Sequence, residues 1–129
     1  MKAVDTNVLV RFLVRDDKKQ AQRARKVIEQ GPVFIPKTVL LETEWVLRYT
    51  YEFESTAVAE ALKKVCGLKQ VAVEEPSLVT QALSWHAGGF DFADALHLAS
   101  SSTVQSFYSF DQALVNKAKE VSAIPVVQP

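Results

Sequence analysis

Short apolar runs alternate with longer helix-patterned stretches along this chain, and that alternation limits the fold more than any other feature. "KAVD" reads as a short buried strand, "VFI", "SFYSF" and "IPVV" as further strands, and "QVAV" as a short strand or a loop. Between them lie "TNVLVRFLV", "KKQAQRARKVIEQ", "PKTVLLETEWVLRYTY", "STAVAEALKKVCG", "PSLVTQALSWHAG", "DFADALHLASSS" and "DQALVNKAKEV", which read as helices. Gly31, Gly67 and Gly88-Gly89 close helices, whereas Pro36 and Pro76 suit a first helical turn. Strands alternating with helices predict an α/β protein with a parallel sheet and helices on both faces. In such folds ligands gather at the carboxyl ends of strands, near a switch in strand order.

The chain has 129 residues, no repeat and no linker-like tract, so one domain over residues 1–129 is expected. The lone cysteine, Cys66, excludes an internal disulfide and a four-cysteine zinc site. It fits a reducing compartment and reads as a small apolar helix residue. Asp5 and Arg11 interrupt the apolar N-terminal stretch, and no apolar run approaches the ~20 residues that cross a bilayer. A soluble, cytoplasmic protein is expected.

The formal net charge of zero hides an asymmetry. Residues 11–26 hold seven bases (Arg11, Arg15, Lys18, Lys19, Arg23, Arg25, Lys26) against Asp16 and Asp17. Residues 70–129 hold Lys117 and Lys119 against Glu74, Glu75, Asp91, Asp94, Asp111 and Glu120. A basic segment beside an acidic one suits a polyanion held near an acid-lined metal site, and it also suits ordinary solvated helix faces.

Four acids stand out. Asp5 and Asp111 each end a strand and precede a helix, so each is either a helix N-cap or a ligand at a strand end. Glu44 lies four residues before Arg48, which explains it as an exposed ion pair. Glu42 has Thr38, Val39, Trp45 and Val46 as its helical neighbours and no base in reach. A carboxylate on such a stripe is costly unless paired or bound to a metal. In "FDFADALHLA", Asp91 reads as the cap of the helix and Asp94 as the better ligand. His97, three residues on, is either a packing residue or a support for Asp94. Clustered carboxylates repel one another unless a cation intervenes, and an all-oxygen set selects Mg²⁺ or Mn²⁺ over zinc. Such an ion can activate water against a phosphodiester. No phosphate-binding glycine loop and no G-x-S-x-G elbow is present to support a competing chemistry.

"VDTNVLVRFL", "LLETEWVLR", "DFADALHLA" and "SFD" resemble, in order and spacing, the acidic motifs of PIN-domain nucleases, and most closely those of VapC-type toxins from bacterial type II toxin–antitoxin pairs. The resemblance spans essentially the whole chain. It implies a three-layer α/β/α sandwich with a short central parallel sheet. It further implies Mg²⁺- or Mn²⁺-dependent endoribonuclease activity, a homodimer, and inhibition by a DNA-binding antitoxin. By position it assigns Asp5, Glu42, Asp94 and Asp111 as catalytic and metal-binding acids. Asn7 would orient Asp5, Asp91 would be an accessory acid, and Ser109 stands where the family more often has threonine. From charge alone, Arg11, Arg15, Lys18 and Lys19 are candidates for binding nucleic acid. Two other readings compete: a PIN-fold binding module whose task is a regulated partner complex, and a nuclease specific for DNA or for a nucleic-acid structure.

Overall fold

The computed structural model describes residues 1–129, which divide into two compact units, residues 1–76 and 77–129. The first contains β1 (Lys2–Ala3), α1 (Thr6–Leu13), α2 (Lys18–Gln30), β2 (Val33–Ile35), α3 (Lys37–Tyr49), α4 (Ser55–Cys66) and β3 (Val71–Val73). The second holds nearly all of α5 (Pro76–Ala87), then α6 (Phe92–Ala99), β4 (Phe107–Tyr108), α7 (Gln112–Val121) and β5 (Val126–Val127). The elements fall where the alternation predicts them, and "QVAV" proves to be a strand.

Every strand pairing is parallel. In the first unit the order is β1-β2-β3, with Ala3 opposite Phe34 and Phe34 opposite Ala72. In the second, β4 pairs with β5, with Phe107 opposite Val126. The ladders form one three-stranded and one two-stranded sheet. Strands of two or three residues carry too few hydrogen bonds to order the chain alone. The helices therefore supply most of the buried surface. Leu9, Ile28, Ile35, Leu40, Leu47, Leu62 and Val65 are buried in the first unit, and Val79, Ala82, Phe92, Leu98 and Ala118 in the second.

Carboxylates begin most of the helices. Asp5, Asp17, Asp91 and Asp111 cap α1, α2, α6 and α7 by accepting from Thr6, Gln20, Asp94 and Leu114 backbone N–H groups. Each satisfies a donor that the first helical turn leaves without a partner. Pro36, ahead of α3, cannot do this, and Glu74 takes over: its Oε1 accepts from the Lys37 N–H at 2.9 Å. Glu75 pairs with the Lys37 ammonium at 2.9 Å. Two acids of the C-terminal excess thus serve the start of α3.

Some sequence expectations fall short, beginning with "KAVD", whose strand ends at Ala3 with both of its residues exposed rather than buried. The helix from "DFADALHLASSS" stops at Ala99, and "SFYSF" forms a ladder only at Phe107–Tyr108. Its end is polar, with Ser109 Oγ accepting from the Asp111 N–H at 3.0 Å and Phe110 projecting into solvent. Cys66 is half-buried at the end of α4, and burial pushes its thiol up to about 11, which keeps it protonated and unreactive.

Candidate functional site

In the first unit, the turn from β1 into α1 places Asp5 and Asn7 beside the middle of α3. A cavity of about 320 Å³ opens there, lined by Asp5, Asn7, Arg11, Glu42, Thr50 and Tyr51 among others. Asp5 and Glu42 are exposed and enter no ion pair. One Asp5 oxygen accepts from the Thr6 N–H at 2.7 Å, so capping uses Oδ1 and leaves Oδ2. The cap and ligand readings of Asp5 are therefore compatible. Glu42 makes no hydrogen bond within the protein.

Helix α3 turns Glu42 away from the apolar stripe on which the sequence places it. Its buried stripe runs through Val39, Leu40, Thr43, Glu44 and Leu47, and Glu42 points the other way. Trp45, counted as an apolar neighbour of Glu42, is 55% exposed. Conversely Glu44, expected on the surface, is 1% exposed. Its pairing with Arg48 has the expected spacing, with Nε donating to Oε2 and Nη2 to Oε1, but it sits inside the protein. Leu40 and Leu47, one turn before and after Glu44, carry it inward. Arg48 follows as its necessary partner, since an uncompensated buried carboxylate is strongly unfavourable.

In the second unit, α6 opens at Asp91, whose Oδ2 accepts from the Asp94 N–H at 3.1 Å. Asp94 is half-buried, and burial holds its carboxyl above the usual carboxylate range, reinforced by the charges of Asp91 and Asp111. His97 and Lys117 oppose that shift by charge alone. His97 is exposed and makes no hydrogen bond to Asp94, so the idea that it braces Asp94 directly is set aside. Lys117 donates to the Gly89 carbonyl at 3.0 Å. Asp111 caps α7 at 3.2 Å, and Ser109 fixes its backbone. Asp91 and Asp111 thus add to the cost of ionising Asp94, a situation a cation relieves.

In neither unit do three His, Cys, Asp or Glu side chains stand close enough to hold a metal ion by themselves. Asp5 and Glu42 nevertheless fit a hard divalent cation. They are oxygen donors free of basic partners on one cavity, and Mg²⁺ accepts as few as one or two carboxylates with water completing its shell.

Of the basic candidates, Arg11 lines the acid cavity and a second cavity of about 520 Å³ between α1 and α2. Arg15, Lys18 and Lys19 are exposed and line neither. The second cavity adds Gln20, which the sequence reading passed over, and Arg23, which it counted in the basic segment without singling it out. Their spacing with Ala24 and Val27 on one face of α2 was the signal that could have found them. Tyr51, beyond the end of α3, carried no sequence signal.

No curated protein matches the chain. The family model described as PIN domain matches residues 2–120, and so runs through both units. With helices around short parallel strands and this match over most of its length, the chain belongs to the PIN-domain family and has its α/β/α fold class, and members of that family are generally nucleases that use divalent metal ions.

Proposed function

We propose that this protein is a Mg²⁺- or Mn²⁺-dependent endoribonuclease and the toxin of a toxin–antitoxin pair, working in the cytoplasm as a homodimer. The observation that carries the reading is the pair Asp5 and Glu42, two exposed carboxylates from distant segments on one cavity with no base paired to either. The acids assigned to cation binding are Asp5 and Glu42 in the first unit and Asp94 and Asp111 in the second. A bound divalent ion supplies an activated water and charge for the phosphate oxygens. Asp5 offers Oδ2 while its capping bond fixes the side chain. Asn7, on the same cavity, orients Asp5 or the incoming chain. Glu42, unencumbered by hydrogen bonds, accepts the proton of the attacking water. In the second unit Ser109 and the α7 cap hold Asp111 in place, and Asp91 is an accessory acid to Asp94.

Purified protein incubated with single-stranded RNA and DNA in Mg²⁺, Mn²⁺ or chelator tests this directly. The expected result is RNA fragmentation that needs the metal and is lost in Asp5→Asn and Glu42→Gln. Asp91→Asn, which keeps the cap, should cost less activity than Asp94→Asn. Overexpression should arrest growth, with relief from Asp5→Asn and from the product of an adjacent reading frame. Full activity in chelator, or in Asp5→Asn, refutes the reading.

A further inference from the structure

The α1–α2 cavity differs in chemistry from the acid cavity beside it. Its polar lining is Asn7, Arg11, Gln20 and Arg23, over a floor that includes Val8 and Val27, and no carboxylate borders it. Arg11 is held by three neighbours. Its Nε donates to Gln20 Oε1 at 2.7 Å, and its Nη1 donates to Asp16 Oδ1 and to Tyr51 Oη, both at 2.9 Å. Tyr51 Oη in turn donates to Asp16 Oδ2 at 3.0 Å. These bonds occupy Nε and Nη1 and leave Nη2 without a protein partner. The Gln20 carbonyl is taken up by Arg11, so its amide remains as a donor. Arg23 and Asn7 make no hydrogen bond within the protein. The groups left open are therefore mainly donors, two of them on guanidinium forks, which match phosphate oxygens.

We propose that the cavity between α1 and α2 is a phosphate subsite for a single-stranded nucleic acid, with Arg11 and Arg23 as its anion-binding residues and Asp16 and Tyr51 as the residues that position Arg11. The inference rests on the nuclease reading and extends it. The two cavities share Asn7 and Arg11. A chain with one phosphate on the guanidinium groups would present a neighbouring phosphate to Asp5 and Glu42. Asp16 neutralises part of the Arg11 charge but fixes the orientation of its fork, a trade of raw attraction for pre-organisation. Arg15, Lys18 and Lys19, without a cavity, would contribute only diffuse attraction.

Binding of a fluorescein-labelled single-stranded RNA in chelator, followed by anisotropy across a salt series, separates the subsite from catalysis. Arg23→Gln, an exposed position without protein hydrogen bonds, should fold normally. It should weaken binding on the order of tenfold at low salt and make the slope of log affinity against log salt shallower by about 0.7. Lys26→Gln removes the same charge from the same helix outside the cavity, and should change affinity less than about twofold. Tyr51→Phe should weaken binding in the parent chain and not in an Arg11→Gln background. Identical affinities and salt slopes for Arg23→Gln and Lys26→Gln, or no binding by the parent chain, overturn the proposal. Arg23-dependent binding without any metal-dependent cleavage upholds the subsite and removes the nuclease reading. Metal-dependent cleavage with RNA binding indifferent to Arg23 does the reverse.

Discussion

Glu44 is held in the protein interior by Arg48 one helical turn further on, while Glu42, two residues earlier on the same helix, faces an open cavity. Two carboxylates so close in sequence are thereby given different tasks, and their substitutions should separate cleanly. Glu44→Gln leaves the Arg48 guanidinium poorly compensated and should cost about 3 kcal/mol of stability. Glu42→Gln, at an exposed position, should stay within about 0.5 kcal/mol of the parent. Denaturant unfolding of both variants checks this, and equal stability losses would show that the Glu44–Arg48 pair is not a buried anchor. Joint replacement by Leu and Met should restore most of the loss, because a buried ion pair is often no better than a packed apolar pair.

Asp94 should give the protein a measurable pH signature. Its pKa is raised by burial and by Asp91 and Asp111, so the folded chain holds the Asp94 proton more tightly than the unfolded chain does. The resulting stabilisation is complete below the ordinary carboxylate range and is lost as pH rises through the raised pKa. At neutral pH without divalent metal, Asp94→Asn should therefore melt higher than the parent, by about 1–2 °C given solvent screening. The difference should shrink as pH falls and vanish below the ordinary carboxylate range, where the parent is protonated as well. Thermal melts across that range decide it, and a parent that is the more stable at neutral pH would contradict the assigned shift.

Metal should act on stability as well as on activity. Saturating Mn²⁺ at about a hundred times its dissociation constant should stabilise the fold by about 2.7 kcal/mol. Asp5→Asn should lose most of that increment. Its stability in chelator should stay close to the parent's, because asparagine caps a helix about as well as aspartate and the bond to the Thr6 N–H can persist. Melting curves with Mn²⁺ and with chelator separate the two effects. A full metal response in Asp5→Asn would remove Asp5 from the ligand set.

Cys66 should be chemically quiet. With its thiol pushed up to about 11, little thiolate exists near neutral pH. Alkylation of the native protein at pH ~8 should run on the order of a hundredfold slower than that of free cysteine, and should recover on denaturation. Fast labelling of the native protein would show that α4 opens readily at its C-terminal end.

Much of the local structure is dictated by short-range chemistry that a sequence displays directly. Asp5, Asp17, Asp91 and Asp111 mark where helices begin because a carboxylate can reach an N–H within its own first turn. The strand–helix alternation foretold parallel pairing because a helical crossover returns the chain in the same direction. The Glu44–Arg48 spacing foretold their contact because both residues belong to one helix. Tertiary packing decided which face of α3 turned inward. The phase of a helix depends on what packs against it, and local neighbours such as Trp45 were a poor guide to the burial of Glu42 and Glu44. Tertiary packing also decided that Tyr51, Asp16 and Gln20 would converge on Arg11, and that Glu74 would stand in for the cap Pro36 cannot provide. Tyr51 and Glu74 are remote in sequence from their partners and Asp16 and Gln20 lie beyond the helix that carries Arg11, and no local periodicity encodes a contact made only when separate elements come together. The sequence alone determined the acids and the class of chemistry they suit, and the folded chain alone determined which of them share a cavity, which is buried, and which arginine stands beside them.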